Sequence, residues 1–387
     1  MLALQSHRAF LARLRWALRA QHVFGVSSLV VDKQGHVTSG SSAPKYIWML
    51  MVLFILMAVW FVHYNNETPI VCKSNASKVK LFYYFVILET MIAIVFKLVL
   101  TIKIAWPASQ QSLAQCWSQL IAKVHEFQVS YHCNIESKRE FQLFWLWLTV
   151  LLAVYGFLLT FMVATSKVLF MVQTNHYIIY GLRIYAYLSD TTVCASFGLF
   201  ALLLKALIEE MRKMVRQSNI SENQLRSMIQ LYRHILQIIE SLCAVYGWVL
   251  IMILFEHFLI ITDRSFFAIR MYRRPMGFTL SQVISMMMTW VFPLALNDTL
   301  LVGSCTATEK ALKEFEQELC ELGKMANVNK VEHEYMITCF SLYVAEQKPK
   351  FRILKSLNLN FNVIYAACGV IATYLTVFLQ FDNGDSN

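Results

Sequence analysis

Charge is scarce in this chain of 387 residues: Asp, Glu, Lys and Arg together make up 15%, while 57% is hydrophobic. Glycine and proline are also few, at 12 and 6. These shortages exclude a disordered or collagen-like chain, and a mean hydropathy of +0.50 excludes the ordinary soluble class. Enzyme signatures are missing as well. There is no GxSxG, HExxH, P-loop or GxGxxG, and no histidine pair stands at ligand spacing, so neither an enzyme nor a cofactor is expected. Nine cysteines are present, but without a CxxC or Cys/His cluster, which argues against a metal site and a disulfide framework. No stripe of basic and aromatic residues suggests nucleic acid. The net charge of +10 points instead to anionic membrane lipids.

What is abundant is apolar sequence in long runs. Seven candidate spans fall at roughly 46–63, 81–102, 143–164, 176–204, 242–262, 281–303 and 361–381. The fold expected is all-α, a polytopic membrane protein with one helical domain. Arg8, Arg13, Arg15 and Arg19 open the chain without a cleavable signal segment, which favours a cytosolic N-terminus. Seven crossings then place residues 382–387 outside. On that topology residues 1–45 form a cytosolic segment and 46–303 a six-helix bundle. Residues 304–360 form a cytosolic helical anchor, followed by a seventh helix at 361–381. Asn66 and Asn75 stand in glycosylation patterns in an external loop.

Two helices are expected to run past the membrane. Residues 204–217 extend the fourth span, and Leu225, Met228, Tyr232, Ile235, Leu236 and Ile239 keep an apolar face leading into the fifth. Leu312, Phe315, Leu319 and Leu322 repeat at 3-4-3 spacing after the sixth span, and a further helix over 331–346 ends before Pro349. Such stripes fit either bundle packing or subunit contacts.

Charged groups inside a bilayer are costly and face protein or water. Glu89, Lys97, Arg183, Asp190, Glu256 and Asp298 fall inside the spans. A small-molecule site with aromatic walls and polar anchors is expected in the outer half, from Glu89, Tyr84, Arg183, Tyr187, Glu256, His257 and Trp290. The plainer alternative is an interfacial aromatic belt with Arg183 paired to Asp190. Asn297 and Asp298, one turn after Pro293, are expected to satisfy backbone groups that the proline loosens.

The last span is the most informative. Asn362, Ala366, Gly369, Thr373, Thr376 and Gln380 follow a 4-3-4-3-4 spacing. At 100° per residue all six lie within about 40° of one direction, over a rise of about 27 Å. Spacing alone leaves two readings open, a small-residue packing seam or a pore lining. The helix ends Thr373-Tyr374, five apolar or small residues, then Gln380-Phe381. This ending resembles the C-terminal signature of insect gustatory receptors. Pro349, Phe351 and Leu357-Asn358-Leu359-Asn360 resemble that family's approach to the helix, while Lys355 stands where many members have glycine.

The resemblance implies a tetrameric ligand-gated, non-selective cation channel with inverted topology in the plasma membrane of chemosensory neurons. The seventh helices would line the pore, with Gln380 and Phe381 as the outer gate, Thr376 on the wall, and Thr373 and Tyr374 deeper. A small-molecule tastant and permeating cations would be its partners. A seven-span receptor coupled to a G protein is the alternative. The Asp-Arg-Tyr and Asn-Pro-x-x-Tyr patterns expected of that class are absent.

Overall fold

The computed structural model describes residues 2–23, 29–32, 35–40, 106–131, 137–169, 175–216, 220–273, 280–325, 331–347, 350–354 and 356–384, with single positions at 54, 57, 99, 133 and 135. Apart from positions 54, 57 and 99, the first two predicted spans therefore lie outside the described residues, with Glu89, Tyr84, Lys97, Asn66 and Asn75.

Eight helices and two small hairpins are described: α1 (Leu2–Val23), β1 (Leu29–Val31), β2 (Val37–Ser39), α2 (Pro107–Tyr131), α3 (Lys138–Leu169), α4 (Asn175–Arg216), α5 (Glu222–Arg273), α6 (Leu280–Met325), α7 (Val331–Glu346), β3 (Arg352–Ile353), β4 (Leu357–Asn358) and α8 (Phe361–Gly384). Three stretches among them are long and apolar enough to cross a membrane, Lys138–Phe157, Tyr187–Arg216 and Glu222–Phe266; Phe361–Val377 is a shorter apolar helix.

The lengths matter. With 42, 52 and 46 residues, α4, α5 and α6 rise about 63, 78 and 69 Å. A bilayer with its headgroups is about 40–45 Å thick, so each of the three helices is longer than one crossing requires. The continuations expected from the apolar stripes are present. Leu225, Met228, Tyr232, Ile235, Leu236 and Ile239 are all buried, as are Leu312, Phe315 and Leu319.

Local sequence fixes the ends. Ser221 and Gln224 form a reciprocal cap at the start of α5, each side chain bonding the other's backbone N–H, at 3.4 and 3.0 Å. Pro107 opens α2, where its missing N–H costs nothing. Asn360 caps α8 by accepting the Asn362 N–H at 3.1 Å.

The extramembrane helices gather at one end. The α4 terminus meets α6 through Arg212, which donates to Glu314 at 2.5 Å and Glu318 at 2.7 Å; Arg216 adds a 2.6 Å pair to Glu318. Tyr232 of α5 donates to Glu316, stacks on Phe315 of α6 and meets Phe340 of α7 edge-on. Burial pulls the Glu318 carboxyl up, but bonds from Arg212 and Arg216 hold it below its ordinary range.

On the other flank α1 and α2 pack together, and the β1–β2 hairpin bonds α2 through Val37 N–H to Ser118 Oγ at 3.0 Å. Helix α1 thus gives structure to residues 1–45, expected only as a cytosolic segment, and α2 adds a helix that hydropathy does not mark as a span. The signal was present: Phe10, Leu11, Leu14, Ala17 and Leu18 form one buried stripe, and Leu113, Trp117, Leu120, Val124 and Phe127 another.

Candidate functional site

The centre of the bundle is α4, packed between α3, α5 and α6. From Ser189 to Ala201 every residue is buried. Asp190, a charged residue within an apolar span, is among them and so faces protein, not lipid. Gly198 lets α3 approach, because a methyl group there would lie 2.6 Å from the Trp147 ring. The same Trp147 donates its indole N–H to Asn297 Oδ1 of α6 at 3.1 Å.

Four helices meet in a buried polar cluster. His257 of α5, 1% exposed, bonds through Nδ1 to Asp298 of α6 at 2.7 Å, and its Nε2 lies 4.0 Å from Asp190 of α4. Glu256 is buried beside it, 3% exposed. Tyr187, one turn before Asp190, stacks on Tyr155 of α3 at 6.1 Å between centroids. Trp290 of α6 is buried, with the Arg264 guanidinium 5.3 Å over its ring.

Of the expected pocket residues, Tyr187, Glu256, His257 and Trp290 therefore all stand on the inner faces of α4, α5 and α6. Arg183 lies on α4, its side chain outside those described. Asn297 and Asp298 differ from expectation. Instead of repairing the backbone after Pro293, they tie α6 to α3 and α5. Tyr155 and Trp147 were missed, and the one available signal was that a buried tyrosine hydroxyl or indole needs a polar partner.

The last helix behaves in the opposite way. None of its described side chains is buried; Val363, Ile364, Ala367, Ile371, Leu375 and Leu379 are half-covered where α8 leans on α5 and α6. Asn362, Ala366, Gly369, Thr373, Thr376 and Gln380 are all exposed. At 100° per residue the stripe points about 180° away from the half-covered face. Among the described residues it is therefore not a packing seam. A methyl at Gly369 would meet nothing within 4 Å.

Thr373 and Thr376 turn their hydroxyls back to the Gly369 and Ala372 carbonyls at 2.9 and 2.8 Å. Those two groups are satisfied inside the helix. The side-chain amides of Asn362 and Gln380 are what call for water or another chain. Tyr374 is 49% exposed, about 120° around the helix from the stripe and nearer the half-covered face. Phe381 continues the helix, with its side chain outside those described.

Residues 14–383 match the family described as 7tm Chemosensory receptor. The chain belongs to that family. This chemosensory receptor is accordingly a helical, multi-pass membrane protein. It shares the fold of the insect olfactory receptor OR5 from Machilis hrabei, with a TM-score of 0.67 at 13% identity over 96% of this chain and 99% of that one. The same olfactory receptor in complex with eugenol gives 0.62 at 12% identity, with the same shares covered. No curated protein sequence matches the receptor.

Proposed function

We propose that this receptor is a gustatory receptor, a subunit of a tetrameric, ligand-gated, non-selective cation channel in the plasma membrane of chemosensory neurons. Seven spans with a cytosolic N-terminus and an external C-terminus complete the reading. A homomeric or mixed tetramer places four α8 helices around one axis. The ligand is a small-molecule tastant, with bitter and deterrent compounds the first to test. Support for taste comes from the Thr373-Tyr374 and Gln380-Phe381 ending. Support for ligand recognition comes from the fold shared with an olfactory receptor solved with eugenol.

The observation that carries the channel reading is the polar stripe on α8, exposed and opposite the face that touches its own subunit. An isolated helix in lipid gains nothing from aligning its polar and small residues over 27 Å. Lining a shared aqueous path gives that alignment a use. Four Phe381 rings can close such a path by dewetting, and four Gln380 amides can solvate a cation when it opens. The ligand acts by binding the open arrangement more tightly than the closed one.

The test is to record currents from cells expressing this chain alone against sugars and bitter compounds. Gln380→Ala and Phe381→Ala are expected to change basal current or ion selectivity at normal surface levels. Unchanged currents in both would remove α8 from the pore.

A further inference from the structure

α8 has no buried side chain of its own among those described, yet it starts from one of the best-packed points of the receptor. Phe351, Ile353 and Leu359, in the segment just before it, are each 0% exposed. That segment is the β3–β4 hairpin, and it touches three helices at once. Phe351 meets Phe197 of α4 edge-on at 5.9 Å. Ile353 packs on α5 at Gly247, where a methyl group would stand 3.1 Å from Ile353 Cγ2. From α6, Glu309 reaches across and accepts the Phe351 N–H at 2.8 Å.

The hairpin is closed by Leu359 N–H to the Phe351 carbonyl at 2.9 Å, and its turn holds Leu354 at φ 51°. That is a left-handed conformation costly for a branched side chain, and it persists only where the surroundings enforce it. Asn360 then caps α8 one residue later. The first turn of α8 is therefore positioned through the hairpin, and the hairpin through its three contacts.

Of those contacts two are apolar and one is polar. Glu309 is 8% exposed, and its carboxylate bonds a backbone N–H that would otherwise be buried without a partner. An apolar contact slides with little change in energy, whereas a hydrogen bond depends steeply on distance and angle. Glu309 is also 11 residues, or about 16 Å of helix, beyond Asp298 in the polar cluster. One rigid helix thus carries both His257's partner and the hairpin's partner.

We propose that Glu309 is a positioning residue for gating: its bond to the Phe351 N–H transmits movement of α6 to the base of α8. The inference rests on α8 being the pore helix. A purely structural role would make Glu309 matter for folding alone.

The test compares Glu309→Ala with Glu309→Gln in the full-length receptor, at matched surface levels. The glutamine oxygen still accepts the Phe351 N–H; alanine does not. Glu309→Ala is expected to shift the half-maximal ligand concentration about tenfold, the scale of one lost buried hydrogen bond, while ion permeability ratios stay unchanged. Glu309→Gln restores the native response. Equal, native-like responses in both variants overturn the proposal, and so does failure of Glu309→Gln to restore the response.

Hydrogen exchange in the detergent-solubilised receptor gives a readout that needs no current. Amides of residues 351–366 are expected to exchange faster in Glu309→Ala and not in Glu309→Gln; unchanged exchange in both overturns the coupling. Exchange that follows this pattern in a receptor that never conducts would sink the channel reading alone. Should Glu309→Ala fail to reach the surface, Gly247→Ala approaches the hairpin from α5. It is expected to displace Ile353 and shift the response without changing selectivity; a native response overturns the proposal.

Discussion

α4 and α8 are both apolar helices, and hydropathy alone ranks them wrongly. α4 holds His176, Arg183 and Asp190 in its sequence, yet every residue from Ser189 to Ala201 is buried. α8 has no charged residue from Phe361 to Phe381 and buries none of its described side chains. Each helix makes sense through what it faces. Asp190 of α4 lies against His257 of α5 within the same chain. The polar stripe of α8 is exposed, with no packing partner among the described residues.

The sharpest way to break this comparison uses one glycine from each helix. Gly198→Leu drives a side chain into Trp147 and is expected to cost at least about 3 kcal/mol, seen as loss of surface expression and of cooperative melting in detergent. Gly369→Leu meets open space, so melting is expected to stay native while ligand-evoked current falls. Destabilisation by Gly369→Leu equal to that of Gly198→Leu would place α8 in the core after all.

A smaller effect is expected where α4 leaves the apolar bundle. Arg212→Ala removes the donor shared by Glu314 and Glu318 and is expected to cost about 1.5–3 kcal/mol in thermal or denaturant unfolding. The Glu318 carboxyl is held below its ordinary value, so its contribution is present above that value and is lost as pH falls through the depressed one. The cost of Arg212→Ala therefore shrinks in acid. A cost that does not vary with pH would mean that packing alone holds this end.

The smallest effect lies on α1. His7 is buried against α2, its ring 4.2 Å from that of His125. Burial first, then the neighbouring His125, lowers its pKa from 6.5, against a bond from Gln128. The folded state thus binds fewer protons than the unfolded one between the lowered value and 6.5, and stability falls as pH drops through that window. Melting compared at about pH 7.5 and pH 5.5 is expected to show this loss in the native receptor and less of it in His7→Gln.

Much of the fold was legible where one helix carries its own pattern. The extensions of α4 and α5, the stripe at Leu312, Phe315 and Leu319, and the helix ending before Pro349 follow from periodicity within one segment. The α8 stripe was legible in the same way, but its orientation was not: only the packing shows that it faces away from α5 and α6. The polar cluster was half legible. Glu256 and His257 stand out as costly residues in a span, yet the pairings of His257 with Asp298 and of Trp147 with Asn297 cross 41 and 150 residues. No local pattern encodes such distances. Asn297 and Asp298 were misread because a nearer explanation, Pro293, lay one turn away.

What the α8 stripe faces decides whether this helix lines a pore. In a background with Cys368 replaced by serine, single cysteines at Gly369, Thr373 and Thr376 can be compared with cysteines at Ala367, Ile371 and Leu375. A charged, membrane-impermeant thiol reagent is applied during ligand-evoked current. For a pore-lining α8 the three stripe cysteines are expected to be modified, with loss of current, and the three on the half-covered face are not. Equal modification of both faces, or none on the stripe while ligand still opens the channel, would contradict a pore-lining α8.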